Sequence, residues 1–420
     1  MATTSLSQLL GSTRVTRVIS QLKVPQSRLQ AAFGCNPGGP NINPVGGRTT
    51  GWDVFNRTRG IAQGRAPGTG PAVVKPQIVG HVTATIYRAH EKIFLDDNRL
   101  HLMRRMGQDW GVVDQRGERY VEGQERHLAQ RLRNSREFIL SRALQGAFSL
   151  YQDGDDLIPC DLGTSGAQIN LNYQNPYWFD GTYWQGGAAG YTVSSGHIPT
   201  LANLKAFTVT LPGNTGTTSP FGGMAGTVAW GTVASNDPIT DCLGINAGFE
   251  AMHGRQLTNV WCNSTTIAYL FNSTAMKAAA GTANTVWDKY DRTVFVGADG
   301  ARDTGFEIVF KALPWIKWHV YDAGLDVWDG TYFKFKKFFP DGYAAFVPDV
   351  DADWFELQEG SEIVRENVLD PGSIRFGLAA WSEIKTQPSG FELIGLDNCL
   401  PVIYVPSCVA FVNVASVSSS

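Results

Sequence analysis

A chain of 420 residues with 43% hydrophobic side chains has ample material for two or three compact units. Its net charge of −3 excludes a dedicated, strongly basic nucleic-acid binder. Only 17% of residues are charged, against a usual figure of about 25%, which leaves much surface suited to lying against other protein. No apolar run reaches the ~18 residues of a membrane span and no signal-type apolar stretch opens the chain, so no membrane partner is expected.

Residues 1–69 are rich in Gly, Pro, Asn and Gln, and carry Arg14, Arg17, Lys23, Arg28 and Arg48 with no acidic residue before Asp53. Such a segment reads either as an organelle-type leader or as a basic arm lying across neighbouring subunits. The stretch GCNPGGPNINPVGG (34–47) has too few apolar groups to offset its ordering entropy, so it must dock elsewhere or stay unfolded. Leu9-Leu10, Val18-Ile19, Leu22, Val24 and Leu29 offer docking points, which favours contact with sister molecules. Residues 70–115 read as extended. HVTATIY (81–87) is strand-like, a charged stretch runs on to Arg104-Arg105, and no core partner lies near in sequence, as in a long projecting hairpin.

Residues 116–146 predict one long helix. Leu128, Leu132, Ile139 and Ala143 fall on one face, and Gly146 is a C-terminal stop. At ~1.5 Å per residue the rod is roughly 40 Å long. Glu122 with Arg126, and Arg133 with Glu137, have the spacing of ion pairs on an exposed face. Glu125, Ser135 and Arg142 occupy would-be seam positions and argue against a coiled coil. Residues 158–173 read as one or two strands, and 176–228 as a β-rich insertion.

A second helix is signalled by Asp237 as N-cap, Pro238 at the first position and Gly254 at the end. LTNVWC (257–262) is then a buried strand, and Asn263 or Ser264 caps a third helix running to about Ala280. This alternation indicates an α+β unit. From about 286 period-two patterns dominate: GFEIVFKAL (305–313), WIKWHVYD (315–322), and turns at Asp329-Gly330 and Pro340-Asp341-Gly342. FELIGLDNCLPVIYVPSCVAFVNV (391–414) returns to strand.

Chemistry-bearing motifs are scarce. Asp349, Asp351 and Asp353 imitate the start of a calcium loop, but Trp354 stands where its turn needs Gly, and Gly360 where the bidentate Glu belongs. None of the seven histidines has metal-ligand spacing. The cysteines (35, 160, 242, 262, 399 and 408) form no C-x-x-C pair and read as buried free thiols. Neither a nucleophile elbow nor a phosphate-binding glycine loop is present. Tyr177, Trp178, Phe179, Tyr183 and Trp184 form an aromatic group that suits either sugar stacking, with Asp180 as a carboxylate, or protein packing. No cofactor, metal or catalytic residue is assigned, and an enzyme is not expected.

The order of these segments resembles the major capsid proteins of tailed bacteriophages, in particular the lambda-type class. SLSQLL (5–10) and KVPQSRLQAAF (23–33) resemble the family's N-terminal arm; VVKPQ (73–77) opens what resembles its extended loop. HLMRRM (101–106) and the rod resemble the spine-helix region, and NDPITD (236–241) the peripheral domain. YFKFKKFFPDGYAAFVP (332–348) is similar to the axial-domain hairpin, and CLPVIYVPSCVAFVNV (399–414) to the closing strand. The resemblance implies an α+β capsid fold divided as arm (1–69), extended loop (70–115), spine helix and peripheral domain (116–175), insertion (176–228), peripheral domain continued (229–285), axial domain (286–370) and peripheral C-terminal strands (371–420).

It further implies self-assembly into hexamers and pentamers of an icosahedral head around double-stranded DNA, with portal, scaffold and decoration proteins as partners. The expected locations are the virion and, during assembly, the host cytoplasm. Arg88, Glu91, Lys92, Arg99, Arg104 and Arg105 are then expected to meet Asp349, Asp351 and Glu356 of another subunit. The other readings are an encapsulin-like compartment and a secreted β-rich glycan-binding protein or glycosidase led by the 177–184 aromatics.

Overall fold

The computed structural model describes residues 28–55, 78–96, 115–145, 147–151, 168–172, 229–281, 285–296, 302–328, 333–364, 372–386, 389–405 and 408–415. A short helix α1 (Arg28–Ala32) leads into β1 (Ile42–Val45). Next, β2 (Thr49–Phe55) pairs antiparallel with β3 (Ile78–Thr85). After a break at Ile86, whose N–H donates to the Arg48 carbonyl, β4 (Tyr87–Asp96) begins. The 30-residue helix α2 (Gln115–Leu144) follows, close to the bounds its apolar spacing predicts. Then β5 (Ala147–Tyr151) pairs with β6 (Gln168–Asn172).

Local signals place the next elements. In α3 (Pro238–His253) the Asp237 side chain accepts from the Thr240 N–H, and Gly254 closes the helix at φ 66°, where a side chain would be strained. β7 (Asn259–Cys262) is followed by α4 (Ser264–Asn272), capped by Asn263, and α5 (Thr274–Ala279). The single third helix expected from sequence is thus two. Ser273 leaves helical geometry at ψ 130°, and its hydroxyl caps α5 through the Met276 N–H. The β-rich remainder comprises β8 (Trp287–Val296), β9 (Arg302–Phe310), β10 (Leu313–Val320), β11 (Gly324–Trp328), β12 (Phe333–Lys337), β13 (Tyr343–Val347), β14 (Phe355–Val364), β15 (Ser373–Phe376), β16 (Leu378–Thr386), β17 (Ser389–Ile403) and β18 (Ala410–Asn413).

Two six-stranded sheets organise these elements. In one, β1, β14, β17 and β16 lie in that order, with β15 on β14 and β4 on β17. In the other the order is β18-β13-β7-β10-β9-β8, with β7 and β10 parallel. β17 is central, and its Leu393, Leu396, Leu400, Val402 and Ile403 are all buried. Helix α2 packs across β17 because Gly395 has no side chain. A Cβ there would lie 2.8 Å from Leu132 Cδ1 and 2.9 Å from Leu128 Cγ, inside van der Waals contact. One hydrophobic core joins α2 to both sheets and includes Leu29, Phe33 and Cys35 from the N-terminal segment.

Two expectations are corrected here, on residues 34–47 and on Arg133 with Glu137. Residues 34–47 need no sister molecule: β1 runs parallel to β14 with Ile42 opposite Leu357, so this chain's own sheet satisfies its backbone. HVTATIY (81–87) falls mostly on β3, which forms a two-stranded sheet with β2. β4 pairs along its whole length with β17, Tyr87 opposite Cys399 and Asp96 opposite Gly390, a partner too distant in sequence for local pattern to reveal. Arg133 and Glu137 do not form an exposed ion pair; both are buried, and Glu137 bonds elsewhere.

Strand pairing also runs across the sequence divisions. β7, before residue 286, pairs with β10 and β13 after it, while β14, before 371, pairs with β17. Residues 1–27, Gly146, Cys160 and the 176–228 insertion lie outside the described residues. The other five cysteines are buried and free.

Candidate assembly surface and its anchoring core

Two features stand out: a buried polar anchor beneath α2, and an uncovered apolar ribbon on the sheet that α2 crosses. The anchor begins with two charged residues on the buried side of the helix. Arg136 follows Leu132 by four and precedes Ile139 by three, so it sits within the apolar stripe and must find its partners there. Its Nη2 donates to Asp397 Oδ1 at 2.5 Å and to Glu359 Oε1 at 2.9 Å, its Nε donates to Asp397 Oδ2 at 3.0 Å, and its Nη1 to the Cys35 carbonyl. Burial opposes the charge, yet Asp397 above all holds Arg136 protonated. One side chain therefore ties α2, β14, β17 and the segment after α1 together.

Glu137, the next residue, is fully buried and faces α1. It accepts from the Leu29 and Gln30 N–H groups, from Gln30 Nε2 and from the Tyr321 hydroxyl. Arg28 lies over the Tyr321 ring and donates to the Val320 carbonyl. Nearby, His319 stacks on Trp261 with ring centroids 4.5 Å apart and holds Asn259 Oδ1 at 3.0 Å; burial pushes it down to about 3.

The ribbon is the C-terminal end of β14 with β15. Ser361 lies opposite Phe376 and Ile363 opposite Ile374, so these four share one face. The other face carries Val364, which packs with Trp381, Ile394 and Leu396. The first face has no such cover: Ile363 is 62% exposed, Ile374 63% and Phe376 43%. Glu362, turned to the other side, holds Arg48 at 2.8 Å and Arg88 at 3.4 Å, so this charge lies on the face opposite the apolar one.

The candidate contact residues named from sequence fall in different places. Arg88 lies 3.4 Å from Glu362 on the face opposite the ribbon. Glu91 accepts two bonds from Arg131 of α2, and Lys92 pairs with Glu392 of β17. Asp349 accepts from Thr258 and Asn259, Asp351 pairs with Arg255, and Glu356 accepts from the Tyr404 hydroxyl. Every one of these six thus has a partner within its own chain. Asp353 shares Arg255 with Asp351, so a cation already occupies the calcium-like turn. Arg99, Arg104 and Arg105, and the aromatic group Tyr177, Trp178, Phe179, Tyr183 and Trp184, lie outside the described residues.

Sequence reading missed Arg136, Glu137, Asp397 and the ribbon. A charged pair set inside an apolar helical stripe was the available signal for the first two. The ribbon gave none, because alternating Ile363, Ile374 and Phe376 look like any half-buried strand.

No protein-family model and no curated protein matches the chain. Solved structures do. A phage-related protein from Bordetella bronchiseptica RB50 is 11% identical with a TM-score of 0.46, over 99% of this chain and 98% of that one. A prophage protein from E. coli CFT073 assigned as a capsid protein is 10% identical with a TM-score of 0.47, over 97% and 99%. The SrpI encapsulin of Synechococcus elongatus PCC 7942 is 8% identical with a TM-score of 0.37, over 90% and 86%. At such identities and scores the likeness decides nothing about what this chain does.

Proposed function

We propose that the chain is a structural shell subunit, the major capsid protein of a tailed phage of the lambda-type class. It self-assembles into hexamers and pentamers of an icosahedral head that encloses double-stranded DNA, in the host cytoplasm, and remains in the virion. Portal, scaffold and decoration proteins would be its other partners.

The observation that carries self-association is the ribbon. A folded chain with a continuous core still leaves Ile363, Ile374 and Phe376 together on one uncovered face. Contiguous apolar surface of this kind marks a contact site. Covering the exposed half of three such side chains contributes about 3–4 kcal/mol per copy, at ~1.5–3 kcal/mol for each full burial. That seeds an interface, while a stable one needs on the order of 1,000 Å² or more. The segment order that resembles the capsid family supports a closed shell over a simple dimer.

Native mass and electron microscopy of the recombinant chain test this. Megadalton closed particles are expected from the wild type, and small soluble species from Ile374→Lys with an unchanged circular dichroism spectrum. Normal shells from Ile374→Lys would remove the ribbon from the assembly contacts. A monomeric wild type that binds polysaccharide would overturn the shell reading in favour of the glycan-binding one.

A further inference from the structure

The bare face of β14 and β15 carries no charge of its own. It consists of Ser361, Ile363, Ile374 and Phe376. The Ser361 hydroxyl already accepts from the Gly47 N–H at 2.9 Å, so the polar member needs no outside partner. Glu362 and Arg375 lie opposite one another on the reverse face, where Glu362 meets Arg48 and Arg88. On the ribbon's own side of β14 the next acidic residue is Glu359, two positions before Ser361, and Arg136 holds it. Among the described residues the other exposed large apolar side chains stand one to an element: Phe94 on β4, Leu243 on α3 and Phe335 on β12. Glu392 lies directly opposite Phe94, and Asp326 directly opposite Phe335. Laid on either, an apolar ribbon would cover a carboxylate and offer it no hydrogen bond, which is unfavourable.

We propose that the ribbon packs on the same ribbon of a second copy, so that Ile363, Ile374 and Phe376 of two chains cover one another about a symmetry axis. The inference rests on the shell reading and names the surface through which copies meet. A patch that meets its own counterpart must be self-complementary, because each residue comes close to its own kind. A charged patch fails that condition, since like charges would face each other at close range. An uncharged apolar patch satisfies it, and both copies remove apolar area from water. The ribbon is also presented ready for contact: on the reverse face Val364 packs with Trp381, Ile394 and Leu396, so no refolding has to precede association.

Ile374→Cys tests the match, because a self-contact brings the two introduced thiols together. The five described native cysteines are buried and free, and wild type treated alongside reports any background. With a short thiol-to-thiol cross-linker, particles of the variant should give a species of twice the chain mass. Peptide mass spectrometry should find position 374 joined to position 374 in it. Particles that form but give no such link overturn the proposal and leave the shell reading standing. A wild type that forms no particles removes both. Should Ile374→Cys itself fail to assemble, charge pairing decides. Ile374→Lys and Ile374→Glu should each stay small alone and recover particles when mixed in equal amounts, since lysine then meets glutamate across the axis. A mixture that stays as small as its components overturns the proposal.

Discussion

Removing the charge of Asp397 tests whether the anchor beneath α2 is what integrates this fold. Arg136 and Asp397 each have side chains 1% exposed, joined by contacts of 2.5 and 3.0 Å. Glu359, at 2.9 Å and 12% exposed, is the remaining anion. Breaking a buried pair from one side costs about 3–5 kcal/mol, mostly the penalty of a stranded charge. Asp397→Asn keeps Glu359 in place, so its cost should sit near the lower end, at about 3 kcal/mol. Arg136→Met strands two carboxylates and should cost at least as much. The double variant strands neither Arg136 nor Asp397 and should cost far less than the sum, with a coupling of about 2–3 kcal/mol.

All four proteins should be compared by urea unfolding in the Ile374→Lys background, because assembly would otherwise mix association into stability. Single variants within about 0.5 kcal/mol of the parent, or a double variant equal to the sum, would refute the reasoning. The anchor would then be incidental rather than the joint between α2 and the two strands.

Gly395→Ala should cost about 1–3 kcal/mol by overpacking, since the new methyl would press on Leu128 and Leu132 at the crossing of α2 and β17. The same unfolding measurement checks it, and a neutral result would mean that the crossing is not tight. His319 is held neutral down to about 3, so it binds fewer protons folded than unfolded between about 3 and 6.5. Its contribution is whole above 6.5 and lost as pH falls toward 3, a difference on the order of 5 kcal/mol. His319→Phe should therefore flatten the acid limb of the stability curve relative to wild type, and an identical limb would show that another group sets it.

Much of this molecule is written locally. The caps at Asp237, Gly254 and Asn263, the apolar spacing along 116–146, the turn at Pro340-Asp341-Gly342 and the alternating strands after 300 all stand where their own neighbours place them. Each depends on a handful of adjacent residues, because capping bonds and side-chain periods are satisfied within one or two turns of chain. Pairing is different. β4 meets β17 and β1 meets β14 across some three hundred residues, and nothing within either strand names its partner. Tertiary structure alone decided that residues 28–55 fold onto their own body, that Arg136 and Glu137 face inward, and that one face of β14 and β15 is left bare. Those outcomes follow from total burial and from the need to satisfy every buried polar group, which no short window of sequence contains.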